Sequence, residues 1–209
     1  MKKILTIMVG LSLAAFISCK KEEMESLQSQ VPAESQAQPD VKRIMEKSVV
    51  VLDTDFGQIE IELFPKDAPQ TVLNFVSKTL ARSFDGTTFH RLVPGFVIQG
   101  GDPLSKDGDP NNDGYGGEQM SAEPRQKSNL RGTISMASSS RVQPIDSQSD
   151  AQFFINLDDQ CARLDQMGFI PFGKVVKGLE VVDLIAKQPR DMRDRPTKNI
   201  TIKSISIKQ

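Results

Sequence analysis

Charge of one sign is what this chain lacks most clearly: 26 Lys and Arg stand against 27 Asp and Glu, a formal net charge of -1. There is no electrostatic footprint for nucleic acid. Cysteine is nearly absent too, and with only Cys19 and Cys161 an even-cysteine disulfide framework is excluded. Histidine occurs once, as His90. It invites an acid–base role, but no nucleophile motif stands beside it, and it reads as a hydrogen-bonded structural residue. No apolar run is long enough to span a bilayer comfortably, which takes about 20 residues, and no segment repeats.

What is present begins with a basic start, Met1-Lys2-Lys3, and an apolar run from Ile4 to Ile17, the length of a signal peptide. The run leads into Phe16-Ile17-Ser18-Cys19, which resembles the lipobox of bacterial lipoproteins. This predicts a signal peptide over 1–19, with Cys19 becoming the lipidated first residue of the mature chain. An ordinary secretory signal containing a cysteine is the plainer alternative. Residues 20–47 are rich in Lys, Glu, Ser, Gln, Pro and Ala, too polar to bury a core, and read as a flexible tether. The expectation is a protein of the bacterial cell envelope, lipid-anchored to a membrane and facing the periplasm or exterior. One domain over 48–209, roughly 160 residues, is enough for a real core. Cys161 is then a plain thiol, packed or semi-exposed, with no disulfide partner.

Strand patterns dominate that domain. Val49 to Leu52 is a short apolar run, Asp55-Phe56-Gly57 a turn, and Ile59, Ile61 and Leu63 alternate with Glu60 and Glu62, a hairpin with one wet face. Asp67-Ala68-Pro69 opens a helix whose apolar face carries Val72, Phe75, Val76 and Leu80. Further strands are expected over 87–92, 96–100, 132–137, 152–157 and 171–176. A second helix runs over 178–187 with Leu179, Val182 and Ile185 on one face and Pro189 beyond its end. In the last strand Ile200 and Ile202 are out of phase with Ile205 and Ile207, so a bulge near Lys203-Ser204 is needed to turn all four inward. Many short strands with turn punctuation argue for an antiparallel barrel or sandwich.

The segment from Phe89 to Asp102, Phe-His-Arg-Leu-Val-Pro-Gly-Phe-Val-Ile-Gln-Gly-Gly-Asp, is where the pattern stops being generic. It resembles the signature of the cyclophilin family of peptidyl-prolyl cis-trans isomerases. Four further segments agree in order: Asp113 to Gly117, Arg131 to Ala137, Gln152 to Asn156 and Pro171 to Val175. The resemblance spans about residues 48–207 and implies a mainly β fold, a closed eight-stranded antiparallel barrel capped by two helices. It implies an enzyme that assists folding of extracytoplasmic proteins and works as a monomer on proline-containing polypeptides, without cofactor or metal and without nucleic acid.

Such an enzyme needs no nucleophile. Rotation about an X-Pro bond is slowed by amide resonance, and in the twisted state the prolyl nitrogen becomes an acceptor that it is not in the planar state, so a donor placed there binds the transition state selectively. By the resemblance, Arg91 is that donor and Gln99 its positioning partner, the two catalytic residues. Phe96, Val97 and Phe154 wall the proline pocket, Gln152 is a second polar residue of the groove, and Ala137 and Ser138 grip the residues preceding proline. Leu164 and Phe169 complete the substrate-binding set, Phe169 standing where many relatives place a histidine. Phe153, one residue from Phe154 on a strand, points the opposite way into the core. The chain has no tryptophan. The best-known eukaryotic members carry one near Arg163 or Leu164, which argues against tight cyclosporin binding.

Two features stand outside the pattern. The loop from Asp107 to Asp113 has oxygen groups spaced somewhat like a calcium loop but lacks glycine at the sixth position, and is read as a turn. The stretch between Ala137 and Gln152 is longer than the usual family version. The rival readings are a binding module or chaperone that docks proline segments with little turnover, and an inert surface lipoprotein.

Overall fold

In the computed structural model, which describes Ile44 and residues 49–208, the alternation of Ile59, Ile61 and Leu63 with polar partners becomes strand β2 (Gly57–Leu63), its apolar residues buried and Gln58 and Glu62 exposed. It pairs antiparallel with β1 (Val49–Thr54). The signal peptide, Cys19 and the tether lie outside the described residues. The chain divides into two units, Met1–Asp40 and Val41–Gln209, and the described residues belong to the second.

Helix α1 (Pro69–Leu80) starts at a proline whose missing N–H costs nothing in the first turn. Its N-cap residue Ala68 has no side chain to offer. Glu123 caps it from a distance instead, accepting from the backbone N–H groups of Gln70 (3.0 Å) and Thr71 (2.8 Å) and from the Thr71 hydroxyl (2.6 Å). A carboxylate at a helix N-terminus is stabilised by both the orphan donors and the dipole. The buried stripe is Val72, Phe75, Val76 and Thr79, not the expected one ending in Leu80, which is half exposed. Leu80 lies about 100° further round the helix than Thr79, beyond the edge of the buried face.

The remaining strands are β3 (Phe89–Val93), β4 (Val97–Gly100), β5 (Gln119–Ser121), β6 (Thr133–Met136), β7 (Ser147–Ser149), β8 (Phe153–Asn156), β9 (Pro171–Lys177) and β10 (Ile202–Lys208). Helix α2 (Leu179–Ala186) lies between β9 and β10. Eight strands form one curled antiparallel sheet in the order β10-β1-β2-β9-β6-β8-β4-β3, the eight that the sequence pattern called for. Its two edges approach each other where Phe89 N–H donates to the Ile200 carbonyl (2.9 Å) and Ile202 N–H to that of Thr87 (2.7 Å), around an isolated Thr88–Thr201 bridge. This seam is not a continuous ladder between β3 and β10, so the sheet is curled.

Two kinds of element go beyond the sequence pattern: 3-10 helices over Pro103–Lys106 and Asp159–Asp165, and the small β5–β7 sheet. The long loop after Ala137 supplies β7. In β10 the pairing jumps from Asp53–Ser204 to Thr54–Ile202, so Lys203 is the bulged residue. Ile200, Ile202 and Ile205 are buried and Ile207 packs against the core.

Inside the sheet the core is built around Phe75, Phe84, Phe89, Phe153 and Phe172, with ring centroids 4.9 Å apart for Phe75–Phe84 and 5.0 Å for Phe75–Phe172. A second, smaller apolar cluster holds Val97, Phe154, Cys161 and Leu164, with Phe96, Ala137 and Phe169 packed on it. The period of two along β8 makes the division: Phe153 and Ile155 enter the main core while Phe154 turns to the second cluster.

Candidate active site

The second cluster floors a pocket of about 120 Å³, lined by Arg91, Phe96, Val97, Gln99, Ala137, Ser138, Phe154, Leu164 and Phe169. Nine of the ten substrate-site and catalytic residues expected from the sequence are thus brought together. The tenth, Gln152, is buried and stands behind the lining. One row across the sheet sets the geometry: Arg91 on β3 is paired with Gln99 on β4, Gln99 with Phe154 on β8, and Phe154 with Ser135 on β6.

Arg91 reaches this face because β3 is irregular. Phe89 pairs with Gly100 and Arg91 with Gln99, so His90 is an extra residue with no counterpart on β4. In a regular strand Phe89 and Arg91 would share a face. The bulge inverts that, sending Phe89 and Leu92 into the core and Arg91 to the pocket, a use of bulges that recurs where a strand must re-aim a side chain. The sequence carried a signal for it, two core residues three apart within one strand.

The polar side of the pocket is a directed chain of hydrogen bonds. Arg91 Nη1 donates to Gln99 Oε1 (3.3 Å), Gln99 Nε2 to Gln152 Oε1 (3.0 Å), and Gln152 Nε2 to the Gly116 carbonyl (2.7 Å). Each amide is held at both ends, so the acceptor oxygen of Gln99 must face the guanidinium. Gly116 is required where it stands, since a Cβ there would collide with the Asp102 carboxylate. Asp102, fully buried, anchors both ends of the loop by accepting from the backbone N–H groups of Leu104 and Gly114.

The apolar side rests on the 3-10 helix over Asp159–Asp165 and the segment after it. Phe169 meets Phe154 edge to face at 5.5 Å. Leu164 is buried, and Cys161 beside it donates its S–H to the Phe96 carbonyl (3.1 Å). Burial pushes that thiol's pKa upward, so it is a packed thiol and a poor nucleophile. The Arg163 guanidinium lies 4.5 Å over the Phe96 ring.

Asn129, which the sequence gave no reason to single out, holds this wall in place. It is fully buried. Its side-chain amide donates to Asp165 Oδ1 (2.8 Å) and the Phe169 carbonyl (3.0 Å), and its Oδ1 accepts from Ser135 (2.8 Å) and Asn156 (3.2 Å).

His90 differs from expectation. It is buried, and neither ring nitrogen makes a well-formed hydrogen bond, so the hydrogen-bonded structural reading is corrected to a packed neutral imidazole. Burial is the main cause of its low pKa, about 4, which Asp102 and the nearby Thr88 backbone only partly offset and Arg195 and Arg91 reinforce. In the acidic loop, Asp107 and Asp109 accept from the Asp109 and Asn111 backbone N–H groups, and Asp113 pairs with Arg195. Among the described residues no group of three His, Cys, Asp or Glu is arranged to hold a metal ion, and no helix is long and apolar enough to cross a membrane.

The family model of the cyclophilin type peptidyl-prolyl cis-trans isomerase/CLD matches residues 49–207. Peptidyl-prolyl cis-trans isomerase A of Dickeya dadantii is 38% identical over 175 residues, covering 76% of this chain and 83% of that protein. Peptidyl-prolyl cis-trans isomerase-like 2 of Cryptococcus neoformans is 34% identical over 180 residues, 81% of this chain but 29% of the relative; the chain thus spans less than a third of that longer protein. A crystal structure of a cyclophilin type peptidyl-prolyl cis-trans isomerase from Cryptosporidium parvum, in the presence of the dipeptide Ala-Pro, is similar at a TM-score of 0.66 and 30% identity, covering 78% of this chain and 99% of that one. A match that runs from the first residue of β1 into β10, over all eight strands of the sheet that carries the pocket, places this chain in the cyclophilin-type peptidyl-prolyl cis-trans isomerase family.

Proposed function

We propose that the domain isomerises X-Pro bonds, with Arg91 as the group that favours the twisted amide. The observation that carries this reading is that Arg91 lines one pocket together with Phe96, Phe154, Leu164 and Phe169, a cation beside an apolar slot of a size suited to a pyrrolidine ring. Only one of the guanidinium's five N–H groups is engaged within the described residues, by Gln99; the others are without a protein acceptor. In the planar substrate the prolyl nitrogen offers no acceptor. As the bond twists, its lone pair localises and a guanidinium N–H gains a partner that exists only near the transition state. Every 1.36 kcal/mol so gained is about tenfold in rate.

Phe154 and Phe169 would hold the ring while the preceding residue turns, and Ala137 and Ser138, at the other side of the slot, would take the backbone before proline. The relative crystallised with Ala-Pro supports proline-containing polypeptides as substrates. The deciding experiment is an NMR exchange or protease-coupled assay on a short X-Pro peptide, comparing the wild type with Arg91→Ala. Turnover lost with the arginine is the expected result. Equal, negligible rates in both would leave a proline-binding module.

The cellular setting is a further part of the proposal: a lipid-anchored, monomeric folding catalyst of the bacterial cell envelope. Its support is the leader, the Phe16-Ile17-Ser18-Cys19 box and the polar stretch over 20–47. Mass spectrometry of the mature N-terminus should find acyl chains on Cys19, and an unmodified terminus at another residue would remove the anchor from the proposal.

A further inference from the structure

We infer that Arg163 makes this enzyme prefer substrates with an acidic residue shortly after the proline. The inference rests on the isomerase reading above and adds to it a substrate class.

Arg163 is exposed, yet it is not a loose surface cation. Its guanidinium lies 4.5 Å from the centroid of the Phe96 ring, and Phe96 is itself a wall of the pocket. Stacking on an aromatic face fixes the plane of a guanidinium while leaving its N–H edge free. Nothing neutralises that edge: among the described residues no carboxylate ion-pairs with Arg163. The acidic groups nearest in sequence are committed elsewhere. Asp158 accepts from the Gln160 backbone (2.8 Å), Asp159 from that of Arg131 (3.0 Å), and Asp165 from Asn129 (2.9 Å) while pairing with Arg125 (3.6 Å). None of the nine residues lining the pocket is acidic, and among the described residues Arg91 too is without an ion-pair partner. A substrate entering the slot therefore meets two uncompensated guanidinium groups, one inside and one at the rim.

The sheet tells which part of the substrate meets Arg163. Strand β8 lies between β6 and β4. At one of its ends Ala137 N–H donates to the Gln152 carbonyl (2.8 Å), and at the other Leu157 N–H donates to the Phe96 carbonyl (2.8 Å). Five residues of extended chain separate these ends, roughly 16 Å, with Phe154 between them. The slot thus has an Ala137–Ser138 end and a Phe96–Arg163 end. If residues before proline occupy the first, as proposed above, the chain after proline leaves by the second. A carboxylate one or two residues beyond proline can reach a cation fixed there, whereas a lysine in the same place is repelled.

The test is a set of X-Pro-Z peptides identical but for Z as Glu, Gln or Lys, with isomerisation followed by NMR exchange on the full chain. The expected order of kcat/KM is Glu over Gln over Lys, each step about threefold, the size an exposed ion pair supports. The order should compress toward equality in 0.5 M NaCl, since at that ionic strength screening acts within about 4 Å. Arg163→Gln should abolish the order, and Arg163→Lys, which keeps charge but not the flat stack, should retain its direction with a smaller spread. Equal rates for the three peptides in the wild type, or the same order surviving in Arg163→Gln, would overturn the inference. If no peptide is turned over, the isomerase reading fails separately. Chemical-shift titrations of the same peptides then decide the charge preference from affinities alone, with the same order expected and its absence again overturning it.

Discussion

Arg91 and Gln99 face each other across the β3–β4 ladder, and the arginine donates from Nη1 to the glutamine Oε1 at 3.3 Å. The pair is a product of the His90 bulge, without which the arginine would be aimed at the core side of the sheet. Because the partner is a neutral amide, not a carboxylate, the guanidinium is oriented without being neutralised. Its charge remains available to an acceptor in the pocket.

Replacing that arginine by alanine is expected to lower kcat/KM about 10- to 100-fold, the loss of one charge-assisted hydrogen bond of ~1.5–3 kcal/mol made in the transition state. Arg91→Lys should recover little, because a flexible ammonium lacks the planar fork that Gln99 orients. Peptide isomerisation rates measured beside thermal melts separate this from damage to the fold: Arg91 is only half-buried and lies outside both apolar clusters, so the melting temperature should hardly move.

Gln152 offers a sharper check on positioning. It does not itself line the pocket, yet it fixes the orientation of Gln99 by accepting from its amide nitrogen and is itself fixed by Gly116. In Gln152→Leu the Gln99 amide is free to rotate, and its NH₂ group can then be presented to Arg91. The expected result is a fall in kcat of about 3- to 10-fold. In a double-mutant cycle with Arg91→Ala the two losses should not add, since both act through one guanidinium. Simple additivity would mean that Gln152 acts on something other than Arg91.

Most of the sheet was legible because period-two burial is a local property: Ile59, Ile61 and Leu63 announce their face without reference to any other strand. The site was legible by resemblance, which carried Arg91, Phe96, Gln99 and Phe154 to the same pocket. Three things were not. Leu80 and Thr79 are adjacent on α1, and only the direction of the packed sheet decides which is buried. Gln152 has the spacing of a lining residue, but whether it meets substrate or another side chain depends on Gln99 standing in front of it. The role of Asn129 depends on partners up to 40 positions away, and no pattern in its own neighbourhood encodes that.

For Asn129 the consequence is mainly stability. Alanine there removes the buried donors and acceptors that satisfy Ser135, Asn156 and Asp165 and the carbonyl of Phe169. Asn156 keeps Thr133 and Asp165 keeps Arg125, so two groups, the Ser135 hydroxyl and the Phe169 carbonyl, are left unpaired, and at ~1–3 kcal/mol each this should cost roughly 2–6 kcal/mol. Urea denaturation should show the loss as a lower midpoint with an unchanged slope. Because the Phe169 carbonyl loses its anchor, the KM for proline peptides should rise in the folded variant as well, which a purely structural residue remote from the slot would not produce.

His90 supplies the pH dependence. Its folded pKa of about 4 lies below the ~6.5 of an exposed histidine, so between those values the unfolded chain binds a proton that the folded chain refuses. Stability then rises with pH across that window. The contribution is complete above about pH 6.5 and is lost as pH falls toward 4, a change of roughly 3 kcal/mol at ~1.36 kcal/mol per unit. Asp102 draws the proton toward the ring while Arg195 and Arg91 oppose it. The exposed carboxylates Asp107, Asp146 and Asp191 and the half-buried Glu60, whose pKa values are also lowered, add acid sensitivity of the same sign at lower pH. The comparison must therefore be between the wild type and His90→Leu, which keeps those carboxylates. Unfolding free energies at pH 4.5 and 7 should differ by less in the variant, and NMR of the wild type should show the imidazole still neutral at pH 5. A ring that titrates near 6.5 in the folded protein would mean that water reaches it, and the stability window would vanish with that access.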